Sequence, residues 1–169
     1  MKNIVLTGFM GTGKTAVGKI LSQRLGFSLV DVDTEIEREQ DTTITDIFKR
    51  LGEPVFRDIE SAIIKKLSSL KNVVLSTGGG AVLRAENMDA LRKNGIIVCL
   101  TASPEVILRR TSSNKDRPLL QTDNPLQKIN ELYTFRKPYY DAADLIIDTD
   151  DMSPLQVAEE IIRAIDSKE

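Results

Sequence analysis

A chain of 169 residues, 41% hydrophobic and 28% charged, reads as one soluble globular domain, long enough for a single good core and too short for two. Its net charge of −2 excludes a global attraction to nucleic acid or anionic membrane, and no stretch approaches the length of a transmembrane helix. Without histidine, Ser-His-Asp and Cys-His nucleophilic schemes and histidine-ligated zinc are excluded, so proton transfer near neutral pH falls to carboxylates, lysine or tyrosine.

The chain opens on a short apolar run, Ile4, Val5 and Leu6, a first strand. It leads into Gly8-Phe9-Met10-Gly11-Thr12-Gly13-Lys14-Thr15, which fits the phosphate-loop pattern of glycine, four residues, then Gly-Lys-Thr. Glycines in that loop admit positive φ and turn successive N–H groups inward, making an anion nest at the positive end of a helix. Lys14 is placed to reach the β- and γ-phosphates of a nucleoside triphosphate and the Thr15 hydroxyl to bind Mg²⁺. Val17, Ile20, Leu21 and Leu25 follow at helical spacing, and Gly26 is a plausible C-cap.

Phe27 to Asp33 reads as a second strand ending in two acids. From Thr34 to about Leu70 the chain is helical in pieces, with a Thr43/Asp46 capping box and an apolar stripe of Ile59, Ala62, Ile63, Leu67 and Leu70. Val73–Ser76 is a third strand running into Thr77-Gly78-Gly79-Gly80. A helix near Glu86–Lys93 closes at Gly95, and Ile96–Leu100 is a fourth strand, buried on both faces, with Cys99 as a small hydrophobe inside it. Ser103-Pro104 starts the next helix. Residues 112–124 are polar and aperiodic, the one long loop. A helix from about Pro125 to Tyr140, kinked or ended near Pro138, precedes the fifth strand, Leu145–Ile147. Ser153-Pro154 opens a last helix with Leu155, Ala158, Ile161, Ile162 and Ile165 on one face. Short apolar strands alternating with helices predict an α/β three-layer sandwich around a five-stranded parallel sheet.

In such a sheet ligands sit beyond the carboxyl ends of the strands, and those ends are polar here. Two acids one residue apart would project to the same face of a strand. Asp31 is then a candidate for Mg²⁺, directly or through water, and Asp33 for a second substrate. An exposed strand end with two solvated acids is the plain alternative, and the need of a phosphate loop for a carboxylate near its metal favours the functional one. No aspartate closes the third strand, which leaves Asp31 as the best substitute. Arg57 and Glu60, three apart, lie on one side of a helix; spacing alone reads them as a surface pair, although arginine also offers a planar fork for a carboxylate. Gly78-Gly79-Gly80 is either a flexible turn or a place where backbone N–H groups approach a ligand. Arg109 and Arg110 form either a solvated helix face or a stacking partner for a base. Arg117 in the long loop suggests a lid that carries a cation to the transferring phosphoryl group.

Taken as a set, these segments resemble the shikimate kinases. The likeness rests on Gly8–Thr15, Asp31-Val32-Asp33, Phe56-Arg57 with Glu60, Gly78-Gly79-Gly80, Arg110-Thr111, Arg117-Pro118-Leu119-Leu120, Arg136 with Tyr139-Tyr140, and Asp148-Thr149 with Pro154, in family order and spacing. The resemblance implies a phosphate-loop fold of the nucleoside monophosphate kinase type. The activity it implies is transfer of the ATP γ-phosphoryl group to the 3-hydroxyl of shikimate, giving shikimate 3-phosphate and ADP on the route to chorismate and aromatic amino acids. By that resemblance Lys14, Asp33 and Arg117 are catalytic, with Asp33 as base. ATP would be held by Gly11, Thr12, Gly13, Lys14, Thr15, Ala16, Arg110, Arg117 and Pro154. Shikimate would be held by Asp33, Arg57, Glu60, Gly78, Gly79, Gly80 and Arg136, and Mg²⁺ by Thr15 and Asp31. The implied domain is a single kinase unit, with a substrate-binding helical insertion at about 34–60 and a lid at about 112–124.

Two rivals are weighed. A gluconate or nucleoside monophosphate kinase would share the loop, but the Arg57/Arg136 pair favours a carboxylate over a base. A GTPase switch would need an Asp-x-x-Gly segment and an Asn-Lys-x-Asp base reader, and Asn114-Lys115-Asp116 lacks the spacer. The expected setting is a cytoplasmic monomer, with a small-molecule substrate and neither nucleic acid nor membrane as partner. The first apolar run is interrupted too early by the loop to be a signal peptide.

Overall fold

The computed structural model describes residues 2–112 and 122–167. Among these, five strands, β1 (Asn3–Gly8), β2 (Ser28–Asp31), β3 (Val73–Ser76), β4 (Gly95–Thr101) and β5 (Leu145–Asp148), form one parallel sheet in the order β2-β3-β1-β4-β5. Seven α-helices connect them: α1 (Lys14–Leu25), α2 (Val32–Gln40), α3 (Ile44–Leu67), α4 (Ala85–Asn94), α5 (Pro104–Thr111), α6 (Pro125–Tyr140) and α7 (Pro154–Asp166), with a short 3-10 turn at Ala81–Leu83.

The two-residue period of the strands sorts the core into two layers. Ile4 and Leu6 of β1, Val74 of β3, and Val98 and Leu100 of β4 pack with Val17 and Leu21 of α1 and Val157, Ala158, Ile161 and Ile165 of α7. Val5, Val73, Leu75, Ile97 and Cys99, the alternate residues of the same strands, pack with α2 to α6 through Ile36, Phe56, Ile64, Leu91, Ile107, Ile129 and Tyr140. The expected three-layer sandwich is thus the observed one, and the apolar β4 run is covered on both sides.

Several boundaries differ from expectation, each for a local reason. β2 stops at Asp31, because the Asp31 side chain accepts from the Thr34 N–H at 3.0 Å and caps a helix that begins at Val32. Asp33 therefore lies in the first turn of α2, and the two acids do not share a strand face. α3 runs across a break at Gly52 (φ 82°, ψ 170°) and ends at Leu67, leaving Leu70 outside the helix and exposed. At its start the Thr43 hydroxyl accepts from the Asp46 N–H and donates to the Asp46 carboxylate, so the two side chains close on each other and the box is only half made. A full capping box occurs instead at Ser153 and Gln156 of α7. On α7 Leu155 is exposed and Val157 takes the buried place. α6 continues through Pro138 to Tyr140, and β4 begins at Gly95 itself.

β1 ends where its backbone crowds β4. At Gly8 φ is 130°, and a Cβ there would stand 2.2 Å from the Leu100 carbonyl oxygen. Gly8→Ala should therefore lose about 3 kcal/mol or more of stability, from steric overlap added to backbone strain. Gly26→Ala, at a φ of 68° with nothing within 4 Å of the new carbon, should lose only about 1 kcal/mol. Urea unfolding of both variants checks this, and equal losses would contradict it.

Candidate active site

Past Gly8 the chain turns over the carboxyl end of the sheet, with Gly11 (φ 78°) and Gly13 (φ 97°) in left-handed conformations. The Thr12 hydroxyl, buried, donates to the Phe9 carbonyl at 2.8 Å and fixes the loop from inside. Lys14 Nζ lies along the loop, donating to the carbonyls of Gly8 at 2.8 Å and Phe9 at 2.9 Å. Thr15 and Ala16, in the first turn of α1, are exposed.

One flank of the loop is tied to β5. Arg110 donates through Nη1 to the Thr149 hydroxyl at 2.9 Å and the Gly11 carbonyl at 3.4 Å, and through Nη2 to the Thr149 carbonyl at 2.7 Å. These bonds lie at the edge of the guanidinium and leave its faces for stacking. A recess of about 180 Å³ opens here, lined by Thr12, Gly13, Val17, Arg110, Thr149, Met152, Pro154 and Val157. Arg110 and Pro154, expected around the base, thus line one pocket with Thr12 and Gly13. Arg109 is exposed.

The other flank gathers the charged residues of α2, α3, α6 and the glycine turn. A side chain at Gly78 would meet Asp33 Oδ1 at 3.0 Å and Glu60 Oε1 at 3.3 Å. At Gly80 it would fall within 2.6 Å of the Arg57 guanidinium carbon, so only glycine lets that side chain lie flat on the turn. Glu60 is fully buried and accepts from Arg57 Nη1 at 2.8 Å; the pair predicted on spacing to be superficial is largely buried. Arg136 is buried with its guanidinium 5.6 Å from the centre of the Phe9 ring, and its Nη1 lies 3.1 Å from where a Gly79 side chain would begin. Tyr140 donates to the Gly79 carbonyl at 2.7 Å, and the Asn87 amide to that of Ala81 at 2.9 Å, so α6 and α4 hold the turn from two sides.

The electrostatics are those of a binding site more than of a finished core. Burial, then the charges of Asp31 and Glu60, push the Asp33 carboxyl up to about 6, with Lys14 pulling the other way. Glu60 is also raised, burial outweighing Arg57, Arg136 and Arg84. Arg57 Nε, Glu60 Oε1 and Arg136 Nε are buried with no hydrogen-bond partner among the described residues. Three such atoms in one cleft are expensive unless a polar ligand meets them.

Asp31 sits across from Ser76 in the β2–β3 register, with β3 between it and β1. Its Oδ1 is engaged by the Thr34 N–H and hydroxyl. No cluster of three or more acidic, Cys or His ligands occurs among the described residues. Mg²⁺, which keeps several waters and shares phosphate oxygens, suits a set of one threonine hydroxyl and one carboxylate. Arg117 and residues 113–121 of the expected lid lie outside the described residues.

Sequence reasoning missed Glu53, which pairs with Arg57, the Phe9 ring beside Arg136, and Tyr140 as the holder of Gly79. Glu53 and Arg57 are four apart on a helix, a visible signal that ordinary surface pairs also give.

Comparison with known proteins gives the family. The family model described as shikimate kinase matches residues 10–166. The shikimate kinase of Thermoanaerobacter pseudethanolicus is 51% identical, over 97% of this chain and 96% of that protein. That of Thermodesulfovibrio yellowstonii is 52% identical, over 96% and 94%. Among solved structures, shikimate kinase from Acinetobacter baumannii in complex with shikimate superposes with a TM-score of 0.95 at 42% identity, covering 100% of this chain and 95% of that one. On the strength of the full-length match and the shared fold, the chain belongs to the shikimate kinase family.

Proposed function

We propose that the cleft between the phosphate loop and the Gly78–Gly80 turn carries out the family's reaction with the division of labour described below. That reaction is the phosphorylation of shikimate at its 3-hydroxyl by ATP, releasing ADP. The observation that carries the assignment of roles is the grouping of a carboxyl whose pKa burial raises to about 6, Asp33, with two largely buried arginines, Arg57 and Arg136, beside one phosphate loop.

ATP lies with its phosphates on the N–H groups of Gly11 to Ala16 and its base in the recess between Arg110 and Pro154. Arg57 and Arg136 clamp the shikimate carboxylate, and the backbone of Gly78–Gly80 touches the ring. Glu60 keeps the Arg57 fork oriented. Asp33 holds the hydroxyls and accepts the proton of the 3-hydroxyl as its oxygen bonds to the γ-phosphorus; the bond from that phosphorus to the β–γ bridging oxygen breaks, and ADP leaves with the electron pair. Lys14 turns from the loop carbonyls to the phosphates and offsets their growing charge, joined by Arg117. Thr15 and Asp31 would hold Mg²⁺, which when bound neutralises phosphate charge. The protein acts as a monomer, its demand for ATP fits the cytoplasm, and a net charge of −2 offers nucleic acid and anionic membrane no general attraction.

The two aspartates give a separable pair of variants. Asp31→Asn should raise the Mg²⁺ concentration needed for activity and largely keep shikimate binding. Asp33→Asn should cut turnover by about 100-fold or more, the range for losing a general base. The raised carboxyl of Asp33 adds a stability signature. Its protonated form favours the fold, an effect fully present below about 4, lost as pH climbs to about 6, and absent above. Asp33→Asn should therefore be more stable than the parent by about 1–2 kcal/mol at pH 7.5, with the advantage shrinking between pH 6 and pH 4. Titrations of shikimate and Mg²⁺ on both variants, with urea unfolding at several pH values, check these outcomes. Exchanged phenotypes, or an Asp33→Asn protein less stable at pH 7.5, would contradict the roles.

A further inference from the structure

Glu53 stands directly after the break in α3 at Gly52, where the helix restarts, and one turn before Arg57. Arg57 Nη2 pairs with Glu53 Oε1 at 3.2 Å, and Nη1 with Glu60 Oε2 at 2.8 Å. The two acids differ in freedom. The Glu60 side chain is 1% exposed and the Glu53 side chain 57%. The cation between them is confined: it is 12% exposed, lies 5.1 Å from the centre of the Phe56 ring, and rests on Gly80.

An exposed Glu–Arg pair four apart on a helix usually contributes little. Here the arginine is neither exposed nor free to move, so only the Glu53 side of the pair opens easily. On the reading that Arg57 receives the substrate carboxylate, we propose that Glu53 is an internal competitor for that place. It occupies Nη2 of Arg57 in the free enzyme, and the incoming carboxylate displaces it into water.

Two consequences follow from the geometry. In the free enzyme the nearly buried guanidinium keeps an acid at both amine ends, which limits the cost of leaving a charge partly unpaired. On binding, the substrate exchanges one carboxylate for another, so its gain at Arg57 is a difference between two ion pairs. A ligand without a carboxylate cannot make that exchange. Glu53 thereby lowers the affinity for an anionic substrate, and with it the margin over an uncharged one, without touching the reacting atoms.

The test measures shikimate binding by calorimetry on wild type, Glu53→Gln, Asp58→Asn, Arg57→Met and the Glu53→Gln/Arg57→Met double variant. Glu53→Gln should bind shikimate about two- to fivefold more tightly, the scale of one exposed ion pair, and its KM should fall by the same factor. Methyl shikimate, which lacks the charge, should bind wild type and Glu53→Gln alike. Asp58→Asn, which removes the same charge from an exposed residue that pairs with Arg84, should leave shikimate affinity unchanged. Arg57→Met should weaken shikimate binding, and Glu53→Gln should add nothing to it. If Arg57→Met weakens binding but Glu53→Gln fails to tighten it, Glu53 is a passive partner and the proposal is overturned. Equal tightening by Asp58→Asn would overturn it in favour of a general field effect. Unchanged binding by Arg57→Met would overturn the role of Arg57 itself.

Discussion

Everything at this site hangs on the close approach of two strands at Gly8. β1 is hydrogen-bonded to β3 on one side and β4 on the other, and at its end the Gly8 backbone lies against the Leu100 carbonyl with no room for a side chain. The loop can therefore leave the sheet at once, with a positive φ, and aim its N–H groups over the strand ends. Both halves of the cleft are fastened near this point. Arg110 ties Gly11 to Thr149 on the nucleotide side, and on the other side a Gly79 side chain would come within 3.4 Å of the Gly8 carbonyl.

A second theme is how a histidine-free protein manages charge. Asp33, Glu60, Arg57 and Arg136 are all withdrawn from water to some degree, and polar atoms of the last three have no partner among the described residues. Such atoms cost stability in the free protein and return it when a polar ligand arrives. On the proposed roles, these groups would serve phosphoryl transfer, which needs little covalent chemistry from the protein and relies on placed charge.

Local patterns were legible in the sequence. The phosphate loop, the helix starts at Ser103 and Ser153, and the apolar β4 run each depend on neighbours a few residues away, so spacing alone reveals them. Asp33 was harder. Its place on α2 is decided by the Asp31 side chain capping that helix, a choice that an apolar–acid alternation does not reveal. The places of Arg57 and Glu60 depend on Gly80 and Gly78 respectively, which are remote in the chain. Arg136 is buried near Phe9, a residue inside the loop motif whose ring the motif leaves unspecified. Contacts of this kind belong to the tertiary fold: strand ends and spacing single out Asp33, Arg57, Glu60 and the glycine turn as candidates, whereas Arg136 is indicated only by the family resemblance.

The central claim is that this cleft selects a carboxylated polyol as phosphoryl acceptor. The most direct measurement is ADP release with shikimate, gluconate, AMP and CMP offered separately, under saturating ATP and Mg²⁺. The account predicts turnover with shikimate and background rates with the other three. Turnover with gluconate or a nucleotide, and none with shikimate, would contradict it.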